Sequence, residues 1–300
     1  MNEPVATPGT GGDRLVTFTI PGRHVRGRVL RLGPVLDRIL AAHDYPAPIQ
    51  HLLAEALVLT ALMGGLLKRE GSQLTMQAQT KGGAVDLLVC DYRDGELRGY
   101  VQHDPERLAG LGETPSLPEL FGNGHLTITF ELAATNQLYQ GLVPLEGGSL
   151  SAAVEVYFAQ SEQVPTLIRT GVAAGGKPNA AGGLLIQHLA DGEEGRERLH
   201  TRMDHPEWEH VAILADTVRR EELVDPDLPL EELVWRLLHE EPEIRVQASV
   251  PLSRGCRCST VHFEEVLARF PKEDRRDMRD ENGIILVDCA FCSREFAIQD

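Results

Sequence analysis

The sequence predicts an α+β protein in three parts: a mixed sheet-and-helix core domain, a charged helical linker, and a small C-terminal zinc-binding module with four cysteine ligands. Three observations predict it. Strand-like alternation of polarity dominates up to about residue 190, broken by a few helical segments. Helical periodicity with acidic runs takes over after Asp191, and four of the five cysteines fall in the last 45 residues. A chain of 300 residues is long enough to bury a sizeable core, so the fold need not rest on metal or disulfides alone.

Residues 1–13, rich in Pro, Gly and Thr, read as a flexible tail. They hold neither a basic n-region nor an apolar h-region, so the expected compartment is the cytoplasm, where thiols stay reduced. Residues 15–20 (LVTFTI) alternate in polarity and are rich in β-branched and aromatic side chains, as residues 25–32 are more weakly, so two strands are expected. Gly33-Pro34 opens a helix carrying Val35, Leu36, Ile39 and Leu40, and a more apolar helix spans about 49–67. The apolar stretch inside it falls short of the roughly 20 residues that cross a bilayer and reads as a buried core helix.

Alternation returns in 73–80, in 84–92, and after an Asp94-Gly95 turn in 96–102, which makes a hairpin. Asn123-Gly124 precedes a strand at 125–132, and 137–145 continues the sheet. A helix is expected over 149–161 and a strand at 166–170, with a Gly/Ala-rich loop over 171–183 before the strand 184–189. The core domain is therefore set at 14–191.

The linker is set at 192–250, with Asp204-His205-Pro206 as a helix start before Trp208, Val211, Ala212, Ala215 and Val218. Leu230, Leu233, Val234, Leu237 and Leu238 form an apolar stripe flanked by Glu231, Glu232, Glu240 and Glu241. Such a stripe suits an ordinary core-facing helix or a reversible latch over a binding surface.

The module at 251–300 carries Cys256-Arg257-Cys258 and, after thirty residues, Cys289-Ala290-Phe291-Cys292. Tetrahedral Zn²⁺ takes four thiolates at about 2.3 Å, and two short-spaced pairs joined by a folded insert supply them. The insert provides a helix with Phe263, Val266, Leu267 and Phe270 on one face, a turn at Gly283, and a strand at 284–287. So small a module has little core of its own, and the metal would supply much of its stability.

Two readings of the site stay open, a permanent structural knuckle and a thiol switch. Thiolates around zinc sit about 3.7 Å apart whereas a disulfide needs about 2.05 Å, so oxidising a pair must eject the metal. Arg254, Arg257 and Arg294 lie near the thiols in sequence and would favour thiolate. Cys90 ends an apolar strand pattern and reads as an inert buried residue, and His262 as an exposed helical histidine rather than a ligand.

Forty-five acidic against twenty-nine basic side chains give a formal charge of −16, which argues against nucleic acid and anionic membranes as partners. No phosphate loop, nucleophile elbow or zinc-protease helix is present, and Gly175-Gly176-Lys177 reads as a plain turn, so no catalytic residue is assigned. A nucleic-acid reader built on the zinc module would need a basic face. A catalytic zinc would keep an open position, which four cysteines fill.

Several stretches carry a resemblance: His43-Asp44-Tyr45-Pro46, Leu53-Ala54-Glu55-Ala56-Leu57, Phe121-Gly122-Asn123-Gly124, Tyr139-Gln140-Gly141-Leu142-Val143, Tyr157-Phe158, Ser161-Glu162-Gln163-Val164-Pro165-Thr166, Ala181-Gly182-Gly183-Leu184-Leu185, and both cysteine pairs in order. Over nearly its whole length the chain resembles the heat shock protein 33 family, the redox-regulated 33 kDa chaperones. The resemblance implies an ATP-independent holdase that binds unfolding client proteins under oxidative stress, as a homodimer when oxidised. It further implies that Cys256, Cys258, Cys289 and Cys292 bind one zinc when reduced, and that oxidation forms Cys256–Cys258 and Cys289–Cys292 disulfides with unfolding of module and linker. The run Ala190-Asp191-Gly192 departs from the proline-containing sequence common in that family.

Overall fold

The computed structural model describes residues 12–80, 82–176, 178–189 and 205–299. Most of the N-terminal tail and the core–linker boundary expected near 191–192 lie outside the described residues.

Strands β1 (Arg14–Ile20) and β2 (Val25–Leu32) form a hairpin, with His24 at φ 51° completing the turn. Helix α1 (Pro34–Leu40) follows, and the Asp13 carboxylate accepts hydrogen bonds from the backbone N–H of Gly33 at 2.6 Å and of Val35 at 2.9 Å at its start. Helix α2 (Ala47–Gly64) leads to the meander β3 (Gln73–Gln79), β4 (Val85–Arg93) and β5 (Glu96–His103). Two short helices, α3 (Pro105–Ala109) and α4 (Leu117–Phe121), precede the hairpin β6 (His125–Leu132) and β7 (Gln137–Pro144). Helix α5 (Leu150–Tyr157) runs into a π turn, Phe158–Glu162, and then come β8 (Thr166–Ala173) and β9 (Ala180–His188).

Beyond the core lie α6 (Pro206–Asp216), α7 (Arg220–Val224), α8 (Leu230–Leu238) and the two-residue strands β10 (Arg245–Val246), β11 (Val250–Pro251) and β12 (Ser253–Arg254). The C-terminal module holds α9 (Thr260–Leu267), α10 (Lys272–Asp277), β13 (Ile284–Asp288) and β14 (Glu295–Gln299).

Among the described residues the strands make two six-stranded sheets and one hairpin. The first sheet runs β10-β1-β2-β9-β8, with β11 also on β1, and the second runs β12-β5-β4-β3-β6-β7. Helix α2 packs against β2, β8 and β9 of the first sheet and β3, β4 and β5 of the second. That position explains its composition: a helix gripped from both sides is apolar all round instead of along one stripe. It is long and apolar enough to cross a membrane, yet it lies 72% buried inside the protein.

The far face of the first sheet carries a second core. Val16, Phe18, Val29, Leu184 and Ile186 pack there against Trp208, Val211, Leu223, Leu230, Leu233, Val234 and Leu238 of the linker helices. Sheet residues on both faces are thus covered, which is why 184–186 read as an unbroken apolar run. The apolar stripe of α8 faces this core, with Leu237 only partly buried.

The expected loop at 171–183 is much shorter, because β8 continues to Ala173 and β9 begins at Ala180. The glycines are there for close approach. A Cβ at Gly171 would meet the Arg220 carbonyl oxygen at 2.5 Å, and one at Gly182 the Leu223 oxygen at 2.1 Å, so α7 lies with its backbone directly on the sheet. The short helices α3, α4 and α10 and the two-residue strands β10, β11 and β12 carry too little periodicity to be read from sequence, and β14 alternates, with Phe296 and Ile298 inward, over only five residues.

Candidate metal centre

The chain turns off the second sheet straight into the first cysteine pair. β12 pairs in parallel with β5, and the Gly255 N–H donates to the Leu97 carbonyl at 3.0 Å, one residue before Cys256. The second pair sits on a tight turn after β13. There the Cys289 carbonyl accepts from the N–H of Cys292 at 3.2 Å and of Ser293 at 2.8 Å, while the Cys289 N–H donates to the Arg294 carbonyl at 2.9 Å. Ser293 takes a positive φ of 54°, and β14 returns antiparallel to β13.

This folding brings the four sulfurs of Cys256, Cys258, Cys289 and Cys292 together within 4.8 Å of one another. Sγ–Sγ distances are 3.2 Å for Cys256–Cys258, 3.6 Å for Cys256–Cys289 and 3.5 Å for Cys258–Cys292. Four thiolates on a tetrahedron about one metal–sulfur bond of roughly 2.3 Å would be about 3.7 Å apart, so the cluster can hold a metal ion with little movement. An all-sulfur donor set suits a soft ion and is wrong for Mg²⁺ or Ca²⁺.

Burial works against charge at Cys256 but is outweighed by hydrogen bonds from the Cys258 N–H and from the neighbouring thiols, which hold its pKa below the ordinary thiol value. Burial, and hydrogen bonding with the neighbouring thiols, push Cys258 and Cys289 the other way. Of the four, only Cys289 is buried; the other three are partly open to solvent and to small oxidants.

The surrounding module has a very small core of its own: Leu267, Ile285 and Ile298, with Phe263, Val287 and Phe296 packed against them. Phe270, expected on the buried face of α9, is 42% exposed, because the chain leaves the helix at Ala268 and turns the ring outward. His262 is exposed and stands outside the sulfur cluster. Cys90 lies fully buried on β4, with its thiol pushed well above the ordinary value by burial.

Comparison with known proteins decides the relationship. The profile described as "Hsp33 protein" matches residues 13–299. The chain belongs to the Hsp33 family. It is 39% identical over 301 residues to the 33 kDa chaperonin of Caulobacter vibrioides, covering 97% of each chain. Against the 33 kDa chaperonin of Nitrosococcus oceani it is 35% identical over 286 residues, covering 95% of this chain and 90% of that one. In fold it is similar to the crystal structure of the 33 kDa chaperonin, a heat shock protein 33 homolog, of Thermotoga maritima, with TM-score 0.78 at 20% identity over 96% of this chain and 95% of that one.

Within this Hsp33 fold the contacts between module and core were not foreseeable from the sequence. Phe291, inside the second cysteine motif, lies beneath the Arg98 guanidinium, 4.0 Å from ring centroid to Cζ. It meets the Tyr100 ring edge to face at 4.9 Å. Arg257, inside the first motif, donates to Gln73 Oε1, and Ser293 Oγ lies 3.2 Å from His43 Nδ1. Of these core residues only His43 belongs to a stretch that stands out in the sequence, His43-Asp44-Tyr45-Pro46, and nothing local to that stretch gives the physical reason.

Proposed function

We propose that this Hsp33-family chain is a redox-regulated, ATP-independent holdase chaperone whose off state is the reduced, zinc-bound form. The observation that carries the reading is the convergence of both cysteine motifs on one four-sulfur cluster in a module with almost no other core. Bound zinc would hold four thiolates deprotonated and stabilise the module, on the order of 10 kcal/mol for sites of this class.

Oxidation of each pair takes two electrons from two thiolates. With peroxide as acceptor, each pair forms one S–S bond, and one peroxide with two protons becomes two waters. Closing from 3.2 Å to about 2.05 Å removes both sulfurs from ligand geometry, so metal and module stability leave together. By family resemblance the pairs are Cys256–Cys258 and Cys289–Cys292.

The domains in this reading are a core at 14–191, a linker at 192–250 and a redox module at 251–300. By family resemblance the linker unfolds along with the module, and release of the linker helices bares the apolar face around Phe18, Val29 and Ile186. Unfolded client proteins bind by burying their own apolar segments. The protein works in the cytoplasm, without turnover, without nucleic acid or membrane, and as a homodimer once oxidised.

The test uses one sample of the full chain, measured for zinc, free thiols and suppression of aggregation of a chemically unfolded protein, before and after warm peroxide. Loss of one zinc and four thiols with holdase activity appearing only then, reversed by reductant and zinc, is the expected result. Zinc retained through oxidation, or lost with no gain of activity, makes the cluster a structural knuckle.

A further inference from the structure

The loops that carry the cysteines are also the surface by which the module sits on the core. Phe291 is the central contact, with Arg98 above its face and Tyr100 set nearly perpendicular to it. Its receptor is built before the module arrives. Thr75, Asp91 and Arg98 are direct cross-strand neighbours on β3, β4 and β5. The Asp91 carboxylate, almost fully buried, accepts from Thr75 Oγ1 at 2.8 Å and from Arg98 Nε at 2.7 Å. Arg98 is thereby fixed over the ring and loses little freedom on docking.

We propose that this pad on the second sheet tunes the metal centre: by holding Phe291, Tyr100 and Arg98 keep the Cys289–Cys292 turn in ligand geometry and slow both zinc loss and thiol oxidation. Tyr100 is a positioning residue, acting on the sulfurs only through Phe291. The reasoning is linkage. If the turn docks best in the geometry that binds metal, docking must in return favour the metal-bound state by the same factor. The oxidation threshold is then set in part by residues far along the sequence from any of the four cysteines. The inference rests on the reading of those cysteines as a zinc site.

The test is the rate of zinc transfer from the loaded full-length chain to a chromophoric chelator, with thiol loss under peroxide followed in parallel. Arg98 is left intact, since removing it would strand the buried Asp91 carboxylate. Tyr100→Ala should speed both rates roughly five- to ten-fold, the size of a lost aromatic contact coupled to a second site. Tyr100→Phe, which keeps the ring, should restore the wild-type rates, and Tyr100→Ala should add nothing in a Phe291→Ala background. Circular dichroism melting of the core reports whether each variant is folded. Unchanged rates in folded Tyr100→Ala, no rescue by Tyr100→Phe, or full additivity with Phe291→Ala would overturn the proposal. Wild-type chain that holds no zinc would instead remove the underlying reading of the cysteines.

Discussion

A Cβ placed on Gly182 would lie 2.1 Å from the carbonyl oxygen of Leu223, so β9 and α7 touch backbone to backbone. Gly182→Ala must lift α7 off the sheet, at about 1–3 kcal/mol, the usual range for overpacking. The expected phenotype is holdase activity without oxidation, with zinc still bound. Aggregation assays paired with zinc analysis check it; a variant as silent as wild type would mean that α7 does not hold the linker down.

Arg31 secures the same helix from below. Its guanidinium donates to the carbonyls of Glu222 at 3.0 Å, Leu223 at 2.9 Å and Leu228 at 2.8 Å, gathering the frayed end of α7 into one fork. Arg31→Lys keeps the charge but cannot reach three acceptors. It should weaken linker docking by on the order of 2 kcal/mol. Emission of Trp208, which is buried against the first sheet, should shift at lower urea than in wild type while the core transition stays in place.

Acid should loosen the linker as well. A hydrogen bond from Arg14 holds the Glu231 carboxyl below its ordinary value of 4.5, and one from Arg23 does the same for Glu207. A carboxylate whose folded pKa is depressed contributes stability that is complete above the unfolded value and is lost as pH falls through the folded one. The contribution of these two pairs to docking should therefore be complete from neutral pH down to about 4.5 and be lost below it. Trp208 emission followed from neutral pH into the acid range reads this, Glu231→Gln should flatten the profile, and a transition on the alkaline side would contradict it.

Much of the architecture was legible in the sequence because each signal was local. The alternation of residues 15–20 and 25–32, the Asp94-Gly95 turn and the spacing of the cysteines each reflect one element satisfying its own periodicity. The Gly/Ala run at 171–183 misled because glycine signals both a turn and a place where another backbone comes close, and only the position of α7 separates the two. The cluster itself could be read, since four thiols need no distant partner to suggest a metal. Its seat could not. Arg98, Tyr100 and Gln73 are ordinary strand positions until the fold brings Phe291 and Arg257 onto them.

Removing metal from the reduced chain with a strong chelator should unfold the C-terminal module alone. Three buried apolar side chains, Leu267, Ile285 and Ile298, cannot hold a module of roughly fifty residues against chain entropy. Amide exchange should become fast across β13 and β14 and stay slow in α2. Protection persisting in that hairpin after zinc is gone would show the module to be self-sufficient.

Cys90 should take no part in the thiol chemistry. It is wholly buried, and burial pushes its thiol well above the ordinary value, so the reactive thiolate is scarce. Alkylation of the native oxidised chain should modify none of Cys256, Cys258, Cys289 and Cys292, and the fifth thiol should react only after unfolding. Cys90→Ala should leave the number of peroxide-sensitive thiols at four.

The thread formed by β10, β11 and β12 is stitched to both sheets, with Gln247 N–H on the Thr17 carbonyl at 2.9 Å and Ser253 N–H on the Gly95 carbonyl at 2.9 Å. It ends just short of Cys256. A module that melts while this thread stays paired remains leashed beside its own landing pad, at an effective concentration of the order of millimolar. Its return to the core would then be a first-order event, independent of protein concentration.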